Sequence, residues 1–217
     1  MRRPLLAQRF LFRFAIPCRY RSPLRRRTIT RLEAAHRLPR LAELEGLPSW
    51  ADVRAAWSEE GLLFTVAVSG KGRSLWCSAS RPEESDGLQI WIDTRDIHNV
   101  HRATRFCHRF VFLPAGGGSA GRFPVAQWLP IPRARMHPQA IAGGLVQARS
   151  RPAKDGYLLE AFVAAEALTG FDPREHPRIG FNYAVLDREL GQQTLSAGSP
   201  LPYEEDPSLW VSLELVR

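Results

Sequence analysis

The sequence predicts an all-β protein, an antiparallel β-sandwich interrupted only by short helical turns. Three observations carry that expectation. Period-two alternation of apolar and polar residues recurs along the chain, which is the signature of strands with one buried face. Seventeen prolines and sixteen glycines among 217 residues divide the chain into short runs. The runs are spaced as the strands of a sandwich are, with little helical pattern between them.

Residues 9–20 alternate, with Phe10, Phe12, Phe14 and Ile16 on one face and Arg9, Leu11, Arg13 and Ala15 on the other. They are expected to form a strand that joins the sandwich. Residues 22–30 read as a basic loop or a further strand, and 31–46 hold a short helical turn. Residues 1–45 are thus expected to be a basic N-terminal extension and 46–217 the sandwich domain. Residues 47–57 lead into a strand, and 62–70 are strongly β. The run Asp86–Pro114 reads as two strands around a loop rich in His and Arg. In it Leu88, Ile90 and Ile92 alternate with Gln89, Trp91 and Asp93. Likewise Phe106, His108, Phe110 and Phe112 alternate with Arg105, Cys107, Arg109 and Val111. Residues 115–121 are a flexible turn and 122–142 are Pro-rich and irregular. A hairpin is expected around 152–155, a helical turn at 165–168, and closing strands at 177–187 and 208–216.

The net charge of +8 is unevenly placed. Residues 1–40 hold twelve arginines against one glutamate, whereas 41–217 hold 18 basic and 21 acidic side chains. The basic character therefore belongs to the extension, which suits an acidic partner; nucleic acid is the lesser option. Cys18, Cys77 and Cys107 are too few and too scattered for a disulfide framework. Arg9, Arg13 and Arg19 interrupt every apolar run near the N-terminus, so a cytoplasmic location without a signal peptide is expected. No window reaches the roughly 20 apolar residues of a membrane span.

The order AAWSEEGLLFTVAVSG, DGLQIWIDTRD, DGYLLEAFVAAEAL, IGFNYAVLDRELG and DPSLWVSLEL resembles the family 9 carbohydrate-binding modules and the wider group of DOMON-like β-sandwiches. The resemblance spans about residues 50–217. It implies a jelly-roll-like sandwich, a non-catalytic role and a saccharide ligand. It also implies a buried structural role for Glu160. Sugar-binding members sandwich the glycan between two tryptophans. The matching positions here are Glu83 and Glu204, so those tryptophans are not matched; Trp76 and Tyr203 are their aromatic neighbours. The family's polar sugar contacts fall near Gln89, Val111, Leu113 and Ala184.

The candidate ligand surface is the 93–108 loop with the aromatics around it. Arg95, His98, His101 and Arg102 would donate hydrogen bonds, and Trp76, Trp91, Trp128 and Tyr203 would stack, with His108 beside them. Asp93 and Asp96, with Asp187 and Glu189, are candidate calcium ligands, since hard cations take oxygen donors at strand ends. Zinc is disfavoured, because alternation puts Cys107 and His108 on opposite faces. Two other readings stay open. One is a haem-binding electron-transfer domain using Met136, His137 or the loop histidines. The other is an interaction or scaffold domain that docks through its basic arm.

Overall fold

The structure is a computed structural model that describes residues 14–217, apart from 42, 44, 45, 47, 197, 199 and 200. Residues 9–13 of the expected first strand lie outside it. Among the described residues, eleven strands form one mixed sheet, with short 3-10 turns in some of the connections. They are β1 (Ala15–Tyr20), β2 (Ala51–Ser58), β3 (Gly61–Val68), β4 (Gly87–Asp93), β5 (Cys107–Gly117) and β6 (Phe123–Leu129). Then come β7 (Val146–Ala153), β8 (Gly156–Ala164), β9 (Arg178–Asp187), β10 (Gly191–Thr194) and β11 (Val211–Val216).

The strand order is β6-β5-β4-β9-β11-β1-β2-β3-β8-β7, with β10 on β9. The sheet folds over until its end strands β6 and β7 touch, so two layers face each other in a nearly closed shape. The layers meet across an apolar core. Phe64 of β3 stacks on Phe181 of β9 with ring centroids 5.3 Å apart. Leu88, Ile90 and Ile92 of β4 and Phe110 and Phe112 of β5 enter the same core. The alternation read from 86–114 is therefore the pleat of two paired strands, with Leu88 opposite Phe112 and Asp93 opposite Cys107.

Three features differ from the sequence reading. β1 runs parallel to both β11 and β2; the thirty residues between β1 and β2 are long enough for the crossover that parallel pairing requires. β6 lies in the stretch read as irregular. Among the described residues it pairs with β5 alone, and Pro124 is tolerated there because an end strand need not donate to a second neighbour. β10 has four residues, Gly-Gln-Gln-Thr, and carries no apolar alternation.

All three cysteines are free. Burial pushes the Cys18 and Cys107 thiols up to about 12 and that of Cys77 to about 11. The thiolate is the reactive form. Native protein at pH 8 is therefore expected to react with a disulfide reagent at least about 100-fold more slowly than urea-unfolded protein. Rapid labelling of Cys18 or Cys107 before unfolding would contradict this packing.

Candidate functional site

The outer face of β9, β4, β5 and β6 is the floor of the site. Side chains that alternate away from the core stand on it: Gln89 and Trp91 from β4, Arg109 and Val111 from β5, and Ala184 from β9. Two loops wall it. Along one side runs the segment from Lys71 to Asp86. It is pinned by Gln89 Nε2 donating to the Glu83 carbonyl at 3.0 Å and Gln127 Nε2 donating to the Ala79 carbonyl at 3.3 Å. Along the other run residues 201–210. Tyr203 and Trp210 there pack with Trp91, Cys107 and Ala184 in a second apolar cluster.

Arg109 is where the two walls meet. Its side chain is 2% exposed, although it stands on the outward face. Nη1 lies 2.8 Å from Glu83 Oε1, and Nη2 lies 3.6 Å from Glu204 Oε2 and donates to Gln89 Oε1 at 2.8 Å. The guanidinium carbon sits 5.3 Å from the centre of the Trp91 ring. Nε is buried and without a hydrogen-bond partner among the described residues. Glu83 and Glu204 arrive from opposite walls, and their side chains are 58% and 48% exposed. Two carboxylates are thus oriented by one buried cation while still facing solvent. Each oxygen accepts more than one hydrogen bond, so the pair can take donors from a ligand lying between the walls.

Two cavities lie along the 201–210 wall. One of about 400 Å³ is lined by Gln192, Tyr203, Glu204 and Glu205 with Pro132 and Leu201. The other, of about 510 Å³, is lined by His101, Arg102, Arg133, Pro202, Glu205 and Asp206. Arg133 Nε donates to Glu205 Oε2 at 2.7 Å, and Arg102 Nε donates to the Arg133 carbonyl at 2.8 Å. Burial, reinforced by the Glu204 charge, pushes the Tyr203 phenol well above its ordinary value, and its hydroxyl accepts from Gln192 Nε2.

The expected ligand residues do not gather at one surface. His101 and Arg102 line a cavity, and Tyr203 lines the one beside it. Trp91 is fully buried, its Nε1 donating to the Glu204 carbonyl at 3.1 Å, so it backs the site rather than stacking on a guest. Trp76 is no open platform: the guanidiniums of Arg188 and Arg81 lie 3.7 and 4.9 Å from its ring centre. Trp128 packs against the main core with its ring perpendicular to that of His137. Arg95 lies over Phe106 and donates to the Gly170 carbonyl. His98 Nε2 is 3.0 Å from both Asp96 Oδ1 and Ser212 Oγ. His108 points into the core and stacks with Phe110, because it shares the inward face with Phe110 and Phe112.

The proposed calcium ligands are engaged otherwise. Asp93 accepts from the backbone N–H groups of Arg95 and Ile97 at 3.0 and 2.8 Å. Burial raises its carboxyl against the pull of those donors. Asp96 accepts from Ser212 Oγ. Asp187 pairs with Lys71 at 2.8 Å, and Glu189 accepts from the N–H groups of Gly72 and Arg73. Among the described residues no group of three or more His, Cys, Asp or Glu is placed to hold a metal ion. Of the residues in the haem reading, His108 is buried beside Phe110, His137 lies against Trp128, and His101 lines the 510 Å³ cavity. Glu160 is buried, as the resemblance implied, with Arg149 Nε donating to it at 2.8 Å.

Sequence reasoning missed Arg109. The available signal was a charged residue at an outward position of an otherwise apolar strand, opposite Trp91 and diagonal to Gln89.

The architecture is that of family 9 carbohydrate-binding modules. Two structures of a family 9 module from Caldicellulosiruptor kristjanssonii match it, each at 15% sequence identity. The complex with cellotriose gives a TM-score of 0.60 over 94% of this chain and 94% of that one. The complex with glucose gives 0.61 over 93% and 95%. A putative carbohydrate-binding protein from Bacteroides uniformis ATCC 8492 matches at 0.51 and 13% identity, over 93% of this chain and all of the other. No protein-family model and no curated protein sequence matches the chain.

Proposed function

We propose that this protein is a non-catalytic saccharide-binding module whose ligand lies on the outer sheet face between the 71–86 and 201–210 walls. The observation that carries the reading is the pair of half-exposed carboxylates, Glu83 and Glu204, that both reach the buried Arg109 from the two walls. Carboxylates so held accept hydrogen bonds from neighbouring hydroxyls, which is what recognition of a sugar diol needs. Where a stacking module uses two aromatic faces, this site uses two polar lips. Hydrolysis between the same carboxyls would need a substrate bond and a water between them; here a guanidinium occupies that place, which supports binding without catalysis. The fold shared with modules described in complex with cellotriose and glucose supports the ligand class.

Calorimetric titration against a glycan panel that includes glucose and cellotriose tests the reading. Wild type is expected to bind at least one saccharide saturably. Glu83→Ala and Glu204→Ala are each expected to raise Kd about tenfold, the loss of one charge-assisted hydrogen bond. Trp76→Ala is expected to leave Kd within about twofold, because Arg81 and Arg188 cover that ring. Wild type inert toward every saccharide would refute the function, and binding indifferent to both glutamates would refute the site.

A further inference from the structure

On the opposite layer of the sheet, one buried carboxylate holds more cations than it can neutralise. Asp52 of β2 is 4% exposed. Its Oδ1 accepts from Arg54 Nε at 2.6 Å. Its Oδ2 lies 2.9 Å from Arg31 Nη2, 2.7 Å from Arg37 Nε and 3.5 Å from Arg40 Nη2. The only further acidic partner of the four among the described residues is Glu43, 3.3 Å from Arg40 Nη1. Among the described residues, these four guanidiniums against two carboxylates leave a surplus of two positive charges. Burial raises the Asp52 carboxyl, but hydrogen bonds from Arg54 and Arg31 more than reverse this and hold it below the usual carboxylate range. Asp52 is therefore a fixed anion that gathers the cluster.

The arginines retain unused donors. A guanidinium carries five N–H groups. Arg31 and Arg37 each turn one nitrogen to Asp52 and remain 40% and 44% exposed. Arg40 Nε is buried with no hydrogen-bond partner among the described residues. A cavity of about 690 Å³ opens beside Arg37 and Arg40, which line it together with Arg19 and Glu43 over an apolar floor that includes Leu38 and Leu41. Like charges packed this closely repel, and an anion at the mouth of the cavity relieves that repulsion.

We propose that Arg31, Arg37 and Arg40, gathered by Asp52, form a binding site for a phosphate monoester group. The forked guanidinium matches the oxygens of a tetrahedral oxyanion. A phosphate monoester near neutral pH carries about two negative charges, which equals the local surplus. A carboxylate or a sulfate monoester carries one and leaves the cluster under-compensated. The inference is independent of the saccharide reading, since the site is built on β2 and the β1–β2 connection rather than on the walled outer face.

The test is calorimetry on the full chain at constant ionic strength, with phenyl phosphate, inorganic phosphate and methyl sulfate as titrants. Both phosphates are expected to bind with one site per chain. Arg37→Gln combined with Arg40→Gln is expected to weaken them at least tenfold while the circular dichroism spectrum is unchanged. Arg37→Lys with Arg40→Lys, which keeps the charge and loses the forks, is expected to weaken them several-fold. Should the double glutamine variant unfold, single Arg37→Gln gives the same readout with a smaller loss. Phosphate binding no stronger than that of methyl sulfate, or unaltered in the glutamine variants, would overturn the proposal in favour of a non-specific basic face.

Discussion

Lys71→Met is expected to lower the unfolding free energy by about 3 kcal/mol, the cost of removing one partner from a buried ion pair. The Lys71 side chain is 4% exposed. Its Nζ lies 2.8 Å from Asp187 Oδ2 and 3.1 Å from Asp86 Oδ2, both carboxylates being buried. Asp86 also accepts from the N–H groups of Trp76 and Arg188, and Asp187 from those of Glu189 and Leu190. The ammonium thus ties the first wall of the site to the end of β9. Methionine keeps the volume but leaves two carboxylates facing each other. The variant has a diagnostic pH dependence. Two adjacent carboxylates share a proton, which raises one pKa in the folded state above its unfolded value. The folded variant then takes up more protons than the unfolded chain, so its deficit against wild type narrows as pH falls from 7 to 5. Urea denaturation at a series of pH values measures this. A deficit below about 1 kcal/mol that ignores pH would mean the pair behaves as a solvated surface bridge.

The second large effect belongs to His108. Its ring is fully buried and stacked with Phe110, and among the described residues neither nitrogen makes a hydrogen bond of full geometry. Burial lowers its pKa from 6.5 to about 4, opposed only by the Thr169 backbone. Between those values the unfolded chain is protonated and the folded one is not. The stability tied to neutral His108 is full above pH 6.5 and is lost as pH falls toward 4. That interval corresponds to about 3 kcal/mol. His108→Phe keeps an aromatic ring in the stack and removes the titration, so its advantage over wild type should grow steadily from pH 7 to pH 4. Parallel stability curves for the two proteins would show that the imidazole is hydrated.

The fold was legible because its signals are local. In β4 and β5, polar and apolar residues alternate without a break, and the pleat follows from them. β6 was not legible, since Pro124 and the glycines before it look like a loop until β5 is there to pair with. The parallel setting of β1 depends on which strands flank it, and those lie about 35 and 195 residues further along the chain. The site was harder for the same reason. Trp76 reads as an exposed aromatic, but Arg81 and Arg188 cover it, one of them more than a hundred residues away. Asp93 reads as a metal ligand, but its oxygens are spent on the N–H groups of its own turn. Glu83 and Glu204 were recognisable only as positions where stacking tryptophans are missing. That both reach the buried Arg109 follows only from the packing of the two walls against β5.

The central claim is that a saccharide lies between the two walls, over Arg109. Nuclear magnetic resonance of 15N-labelled protein titrated with cellotriose, or with whichever glycan the calorimetric panel selects, tests it most directly. The account predicts that the side-chain amides of Gln89, Gln127 and Gln192 and the indole N–H of Trp91 shift on binding, and that Glu204→Ala suppresses those shifts. Shifts confined to other faces of the sheet, with these four signals unmoved at saturation, would contradict it.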